Sequence, residues 1–421
     1  MDKTVKPNQK KTAAPAARSV SEEPAVRNDE TPGTDAPRPP LTGFSPVLCL
    51  LGESAVRLFG RSLPERLKLQ FAREGITEVK TLAEAREHNG PIIVVRADCV
   101  LDPPLIQAVT KRPQFLLLAS DDSAAPLAAH VRKDSLDRAV AALEGKGLPA
   151  GLLARKPADL DAQFWKALRK REVPYALAVT PDTVTAVGWR MFMGTYKGAT
   201  DLITKHLWPR PAYHVTAWLA ERGVTPNMVT TVGAIATVLA FILFWRGDYA
   251  LGLIAAWAMT FLDTVDGKLA RTTLTSSKWG DVFDHGIDLI HPPFWYVAWG
   301  LGLAAWGIIW PSATFWWVIG IILGGYVLQR IMEGIAIKWL GLEIHIWRPI
   351  DTLFRQITAR RNPNLIILTL SLLARRPDWG LIAVAAWTLI CLVLHGLQLA
   401  QALAAKRKQG GGPLISWMTR P

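Results

Sequence analysis

Four aspartates within 26 residues have the chemistry to hold divalent metal ions: Asp263, Asp266, Asp284 and Asp288. On a helix, Asp263 and Asp266 fall at i and i+3, and Asp284 and Asp288 at i and i+4, so each pair shares one helix face. Carboxylate oxygens are good ligands for hard divalent cations, with water completing the shell. Two such ions about 3.5–4 Å apart can hold both sides of an in-line phosphoryl displacement. A fifth acid, Asp281, points elsewhere and is interpreted as a first-turn residue favoured by the helix dipole.

The apolar surroundings of these aspartates limit how they can be used. The preceding apolar segment Tyr249–Leu262 has 14 residues, or about 21 Å of helix, which is too short for a hydrocarbon core of roughly 30 Å. The helix must continue for about six residues, so we expect Asp263 and Asp266 in the cytosolic leaflet or at its edge. Four uncompensated aspartates would cost on the order of 10–14 kcal/mol. A hydrated cleft, bound cations or protonation is therefore required.

Small residues accompany the acids on the same two faces. Gly267 and Ala270 follow Asp263 at i+4 and i+7, and Gly280 precedes Asp284 by four positions. Two adjacent antiparallel helices would thus leave a hollow beside their carboxylates.

The segment from Asp263 to Asp288 reads Asp-x2-Asp-Gly-x2-Ala-Arg-x8-Gly-x3-Asp-x3-Asp. It resembles the signature of the CDP-alcohol phosphotransferase family, with every fixed position present. The resemblance covers about 200–404 and includes Pro226-Asn227 and Thr230. It implies six membrane helices, a homodimer, a site open to the cytosol, and a reaction in which an alcohol displaces CMP from a CDP-linked donor.

The resemblance also implies roles for individual residues. Two ions, Mg²⁺ or Mn²⁺, would be held by the four aspartates, and Asp288 would also take the proton of the attacking hydroxyl. The residues implied around the CDP group are Asp266, Gly267, Ala270, Arg271, Gly280 and Asn227. For the acceptor, the candidates are Arg360, Arg361 and His291; a positive-inside anchor explains the two arginines equally well, and a capping or kink-stabilising role is favoured for His291. Arg330 and Glu333 form either an intramembrane ion pair or part of the cleft wall.

The chain divides by composition into five regions. We predict a disordered tail at 1–43, a soluble α/β domain at 44–188, membrane-surface helices at 189–228, a six-helix membrane domain at 229–405 and a cytosolic tail at 406–421. Cations crowd the second-to-third and fourth-to-fifth connections, which places these loops and both termini in the cytosol, at the inner membrane. The predicted spans are Val229–Trp245, Tyr249–Lys268, Asp281–Leu303, Ala313–Ile335, Leu365–Ala374 and Trp379–Ala404.

The predicted α/β domain alternates buried strands with charged helices, which favours a mostly parallel sheet. It is similar to the nucleotidyltransferase domain of bifunctional inositol-phosphate cytidylyltransferases, and in that comparison Asp98 would be a metal ligand. The segment Leu50–Glu65 lacks the Gly-x-Gly loop and lysine that hold a triphosphate. We interpret the domain as a degenerate relative; an unrelated α/β domain is the alternative.

The net charge of the chain indicates which class of partner it binds. The net charge of +13 accompanies apolar segments, so anionic lipid headgroups are favoured over nucleic acid as partners. The predicted function is transfer of a phosphoalcohol or phosphatidyl group from a CDP-linked donor to an alcohol, in polar lipid synthesis. A soluble CDP-polyol donor of the CDP-inositol type, with a lipid or inositol-phosphate acceptor, is the alternative within this chemistry. An inactive scaffold or metal transporter is the alternative of another class.

Overall fold

The computed structural model describes residues 45–160, 164–165, 168–412 and 414–419, with only the backbone of Phe164, Trp165, Asp281 and Asp284. The predicted tail at 1–43 lies outside the described residues. Helices dominate after residue 184, and the described strands all precede it. In chain order these strands are β1 (Val47–Leu51), β2 (Arg57–Leu58), β3 (Arg61–Ser62), β4 (Val79–Lys80), β5 (Ile92–Arg96), β6 (Cys99–Leu101), β7 (Phe115–Leu118), β8 (Pro126–Val131), β9 (Leu153–Arg155), β10 (Phe164–Trp165), β11 (Lys170–Arg171) and β12 (Ala176–Ala178).

Six of these strands form one mixed sheet in the order β4-β1-β5-β8-β7-β9. β1 runs parallel to β4 and β5, and β7 runs parallel to β9, whereas β8 is antiparallel to both of its neighbours. The strands are short apolar runs such as VLCLL and IIVVR, as a sheet covered on both faces requires. Asp98, in the turn after β5, pairs with Arg96 at 2.6 Å.

Helices follow the capping signals of the sequence. The first helix begins with a capping box between Ser62 and Glu65 and is followed by Gly75 at φ +88°. In chain order the helices are α1 (Leu63–Arg73), α2 (Leu82–Glu87), α3 (Pro103–Lys111), α4 (Leu136–Leu143), α5 (Val184–Gly194), α6 (Pro209–Glu221), α7 (Pro226–Arg246), α8 (Tyr249–Thr272), α9 (Lys278–Gly302), α10 (Ser312–Ile335), α11 (Pro349–Phe354), α12 (Arg361–Leu373) and α13 (Pro377–Lys408).

In the part of the chain that the structure describes, four helical segments are long and apolar enough to cross a membrane. They are α7, α8, α13, and α10 together with the π turn that extends it to Leu340. The other two predicted spans are also helical but differ in kind. α9 has 25 residues and carries Asp284 and Asp288 of the signature, whereas α12 has 13 residues, or about 20 Å, and falls short of a bilayer core.

Two apolar cores hold the site in place. One lies between α7, α8, α9, α10, α12 and α13 and is centred on Phe244, Tyr249 and Trp299. The other joins the end of α8, through Val265 and Leu269, to α5, α6 and the sheet-containing part of the chain. The predicted cytosolic tail is partly helical, because α13 runs to Lys408, and Met418 beyond it is buried.

Candidate active site

A cleft of about 560 Å³ opens beside the second half of α8. α8 continues ten residues past Leu262, to Thr272, as the bilayer argument requires. Asp263, Gly267 and Ala270 therefore fall on one face and line the cleft, and Arg271 lines it one residue later. The helical repeat thus places four signature residues of α8, Asp263, Gly267, Ala270 and Arg271, on one wall of the cleft.

Asp266 takes a different place from the other acids of the signature. It is 3% exposed and does not line the cleft. The Thr230 hydroxyl of α7 donates to its Oδ2 at 2.6 Å. Its Oδ1 is buried with no hydrogen-bond partner among the described residues. A buried carboxylate oxygen without a donor is costly unless a cation or proton satisfies it.

The opposite wall comes from α9, which begins where Ser277 accepts a hydrogen bond from the Gly280 backbone N–H at 3.0 Å. Asp288, two turns further, lines the cleft. The backbone of Asp284 is one turn before it within α9, and its side chain lies outside the described residues.

Arg361, the first residue of α12, joins the two walls. Its guanidinium donates to Asp263 Oδ2 at 2.5 Å and, through the other terminal nitrogen, to Asp288 Oδ1. Because a single guanidinium spans both contacts, the carboxylates of α8 and α9 lie within a few ångströms of one cation. Arg361 was predicted beside the acceptor; the structure places it at the carboxylates.

The donor set fits divalent ions such as Mg²⁺ or Mn²⁺. Asp263 and Asp288 present oxygens to a shared cleft, and Asp266 has an unsatisfied buried oxygen beside them. Oxygen-only ligands with room for water are what these ions prefer.

A second charged group occupies the other end of the cleft. Glu333 of α10 accepts hydrogen bonds from Arg330 at 3.1 Å, from His345 at 3.1 Å and from Arg360. Arg330 and Glu333 are thus both an ion pair and part of the cleft wall. Burial lowers the pKa of His345 to about 3, so this histidine is neutral at physiological pH.

Arg355 adds a cation to this end that the sequence analysis did not single out. It lines the cleft, and its Nε and Nη1 have no partner among the described residues. Burial lowers the pKa of Arg355 to about 9, which leaves it charged at neutral pH. Arg355 therefore adds a charged guanidinium to the cleft wall, and a guanidinium suits an anion with paired oxygens such as phosphate.

Glu333, His345 and His395 each bring one ligand atom within 4.8 Å of the others, an arrangement that can hold a metal ion. Arg360, however, contacts both Glu333 and His345. With Arg330 and Arg355 also present, positive charge dominates this end. The surroundings favour an anion over a divalent cation.

Besides Asp266, three predicted site residues do not line the cleft: Asn227, Gly280 and His291. A Cβ on Gly280 would meet Asn227 Oδ1 at 3.1 Å, so these two residues are neighbours outside the cleft wall. His291 is buried, with Nδ1 2.7 Å from the Ile287 carbonyl and its ring against Trp295. It supports α9 just before Pro292 and Pro293, and it does not line the cleft.

A family model described as CDP-alcohol phosphatidyltransferase matches residues 223–360, which contain all four aspartates. Archaetidylinositol phosphate synthase of Pyrococcus horikoshii is 32% identical to this chain over 181 residues, covering 42% of this chain and 86% of that protein. Phosphatidylinositol phosphate synthase of Streptomyces avermitilis is 35% identical over 75 residues, or 18% of this chain and 31% of that protein. Cholinephosphotransferase 1 of Xenopus laevis is 36% identical over 89 residues, or 17% of this chain and 22% of that protein.

Proposed function

Since this chain belongs to the CDP-alcohol phosphatidyltransferase family, we propose that its cleft transfers a phosphatidyl group from a CDP-linked lipid to a phosphorylated alcohol. The enzyme is a membrane phosphotransferase of phospholipid synthesis. The observation that supports the site is that Arg361 pairs with two carboxylates from different helices, Asp263 of α8 and Asp288 of α9.

The reaction divides its tasks among named groups. Asp263, Asp266, Asp284 and Asp288 would hold two Mg²⁺ or Mn²⁺ ions, which supply positive charge to the donor diphosphate. The acceptor hydroxyl attacks the β-phosphorus, its proton passes to Asp288, the bond from that phosphorus to the CMP oxygen breaks, and CMP leaves. Positioning and charge neutralisation carry the rate in this type of transfer. Gly267, Ala270 and Arg271 line the wall that would receive the nucleotide.

The cationic end of the cleft supports a phosphorylated acceptor. Arg330, Arg355 and Arg360 all line the cleft there. Two relatives are named as synthases of inositol phosphate lipids, which favours an inositol phosphate. A soluble CDP-polyol donor with a lipid acceptor is the second candidate, supported by the similarity to a cholinephosphotransferase.

The architecture we propose around this site has six membrane spans. Two of them differ from the four long apolar helices: α9 carries acidic residues, and α12 is short. The proposed enzyme is a homodimer in the inner membrane, with the cleft and both termini on the cytosolic side, where the cationic connections lie. The mixed sheet would belong to a soluble nucleotidyltransferase-like domain without its own activity, because the connection from β1 to α1 lacks the loop that binds triphosphate.

Release of CMP by purified protein tests this function. Wild-type protein with Mg²⁺ or Mn²⁺, CDP-diacylglycerol and inositol phosphate should release CMP and form a phosphorylated lipid. Asp288→Asn should lose about 10²- to 10⁴-fold in turnover because the base is gone. Asp248→Asn is the matched control, since Asp248 is exposed at the other end of α8. A folded wild-type protein without metal-dependent CMP release from any CDP-alcohol would favour a scaffold or transporter.

A further inference from the structure

We propose that the sheet-containing N-terminal part of the chain positions the signature itself, through three arginines that hold the loop between α8 and α9. We call Arg61, Arg66 and Arg73 the arginine clamp. The catalytic consequence rests on the proposed function, but the contacts stand apart from it. The family match begins at residue 223, so the clamp lies outside the matched segment and its target lies inside it.

The clamp binds three consecutive backbone carbonyls. Arg66 Nη1 donates to the Thr272 carbonyl at 2.6 Å, Arg61 Nε to the Thr273 carbonyl at 2.8 Å, and Arg73 Nη2 to the Leu274 carbonyl at 2.6 Å. Thr272 is the last residue of α8, so its carbonyl is one of those a helix end leaves without an intrahelical partner, and Thr273 and Leu274 follow directly. Cations at a helix C-terminus are also favoured by the helix dipole.

The three contacts differ in setting. Arg66 is 4% exposed, so its bond to Thr272 is made in a low-dielectric environment. Leu274, which accepts from Arg73, has φ +58°, a left-handed conformation that costs energy for a branched side chain. The clamp therefore stabilises a loop conformation that the loop sequence alone disfavours.

Open space borders this loop on two sides. A cavity of about 1040 Å³ separates it from the N-terminal part, and Arg271, Ser276 and His285 line both this cavity and the catalytic cleft. Thr272 and Thr273 are buried, and the Thr273 hydroxyl donates to the Leu269 carbonyl within α8. The clamp adds the hydrogen bonds that tie this loop to the N-terminal part.

Further contacts hold the N-terminal part in place beside the membrane helices. A Cβ on Gly60, at φ +73°, would lie 2.3 Å from the Ala220 carbonyl of α6, so the backbones approach closely there. The buried Lys268 of α8 donates to the Thr195 carbonyl at 3.2 Å and lies over the Tyr196 ring. Leu58, Leu63 and Val265 share one apolar core.

The test uses the full-length protein with the double variant Arg61→Met/Arg73→Met, which leaves the buried Arg66 intact. Two readouts are measured: the rate of tryptic cleavage after Arg271 and Lys278, located by mass spectrometry, and the kinetics of CMP release. We expect cleavage in this segment to accelerate at least fivefold, and the KM for the CDP donor to rise about fivefold or more with a smaller change in kcat. Arg61→Lys/Arg73→Lys, which keeps a donor at both positions, should restore most of both.

Arg86→Met is the matched control, because Arg86 pairs with Asp137 on the far side of the sheet and touches no membrane helix in the contacts described. It should change neither readout. Unchanged cleavage and KM in the folded double variant would overturn the proposal, as would loss of activity in proportion to loss of folded protein with KM unchanged. A wild-type protein without CMP release, but with the cleavage difference intact, would refute the proposed function and keep the clamp.

Discussion

The two ends of the cleft carry opposite charge and are built differently. The carboxylate end takes Asp263 and Asp288 from the faces of two long helices and gathers them on Arg361. The arginine end consists of Arg355 and Arg360, from the connection before α12, and Glu333, which pairs with Arg360. At the carboxylate end Arg361 bridges two acids, and at the arginine end Glu333 pairs with two arginines, Arg330 and Arg360.

The opposite charges of the two ends predict that each end binds a different substrate. The carboxylate end attracts metal ions and, through them, a diphosphate, whereas the arginine end attracts a phosphate directly. Both lie in one cleft, so a hydroxyl on a molecule anchored at the arginine end can face the phosphorus held at the carboxylate end. The comparison therefore predicts that the two ends can be damaged independently.

The largest effect should follow from disturbing the metal ligands. A chelator should abolish CMP release, excess Mg²⁺ or Mn²⁺ should restore it, and Asp266→Asn should not be restored. Thr230→Val removes the hydroxyl that orients Asp266 and should raise the metal concentration for half-maximal activity about 10- to 100-fold. Titration of CMP release with metal measures this.

The control for that titration is the neighbouring Thr231→Val. Thr231 donates to the Asn227 carbonyl in its own helix and is exposed, so its loss should leave the metal requirement unchanged. The acceptor KM should not move in Thr230→Val. Equal metal requirements for the two threonine variants would contradict the assignment of Asp266.

A smaller effect is expected at the arginine end. Arg355→Met removes a cation from the cleft wall and should raise the KM for a phosphorylated acceptor about 10- to 100-fold, the range of a hydrogen bond to a charged group. The metal requirement should be unchanged. Arg407→Met, at the exposed end of α13, is the control. If Arg355→Met alters the KM for the unphosphorylated alcohol equally, no phosphate is bound there.

The same contrast explains what the sequence could reveal. Asp263, Gly267, Ala270 and Asp288 lie on regular helices, where spacing alone fixes which side chains share a face, so their shared cleft could be anticipated. His345 and Arg355 lie just outside α11 in the connection between α10 and α12, where no helical spacing relates them. There the sequence does not distinguish a cation that anchors the loop from one that faces a ligand.

Tertiary packing accounts for the other differences. The sequence identifies Arg361 as a cation in a connection predicted to be cytosolic, but its approach to Asp263 depends on how α12 packs against α8. His291 shares its helix with Asp288, yet Trp295 and the Ile287 carbonyl occupy it. The mixed sheet order likewise cannot be derived from strand composition, which does not specify neighbours. The arginine clamp joins residues about two hundred positions apart and leaves no local signal.

The smallest effect concerns the stability of the arginine end against acid. His345 faces Glu333, Arg360 and His395, and burial lowers its pKa to about 3. The unfolded chain binds a proton near pH 6.5 and the folded protein does not, so His345 contributes stability that is complete above pH 6.5 and is lost as the pH falls toward 3. The loss approaches about 1.4 kcal/mol per pH unit within this window.

His345→Gln, which keeps a donor for Glu333, should flatten the fall in melting temperature between pH 7 and pH 5, whereas the exposed His214→Gln should not. Parallel melting curves for wild type and His345→Gln across that range would show that the arginine end tolerates a further positive charge beside Arg330, Arg355 and Arg360. The difference in charge between the two ends would then be smaller than the geometry indicates.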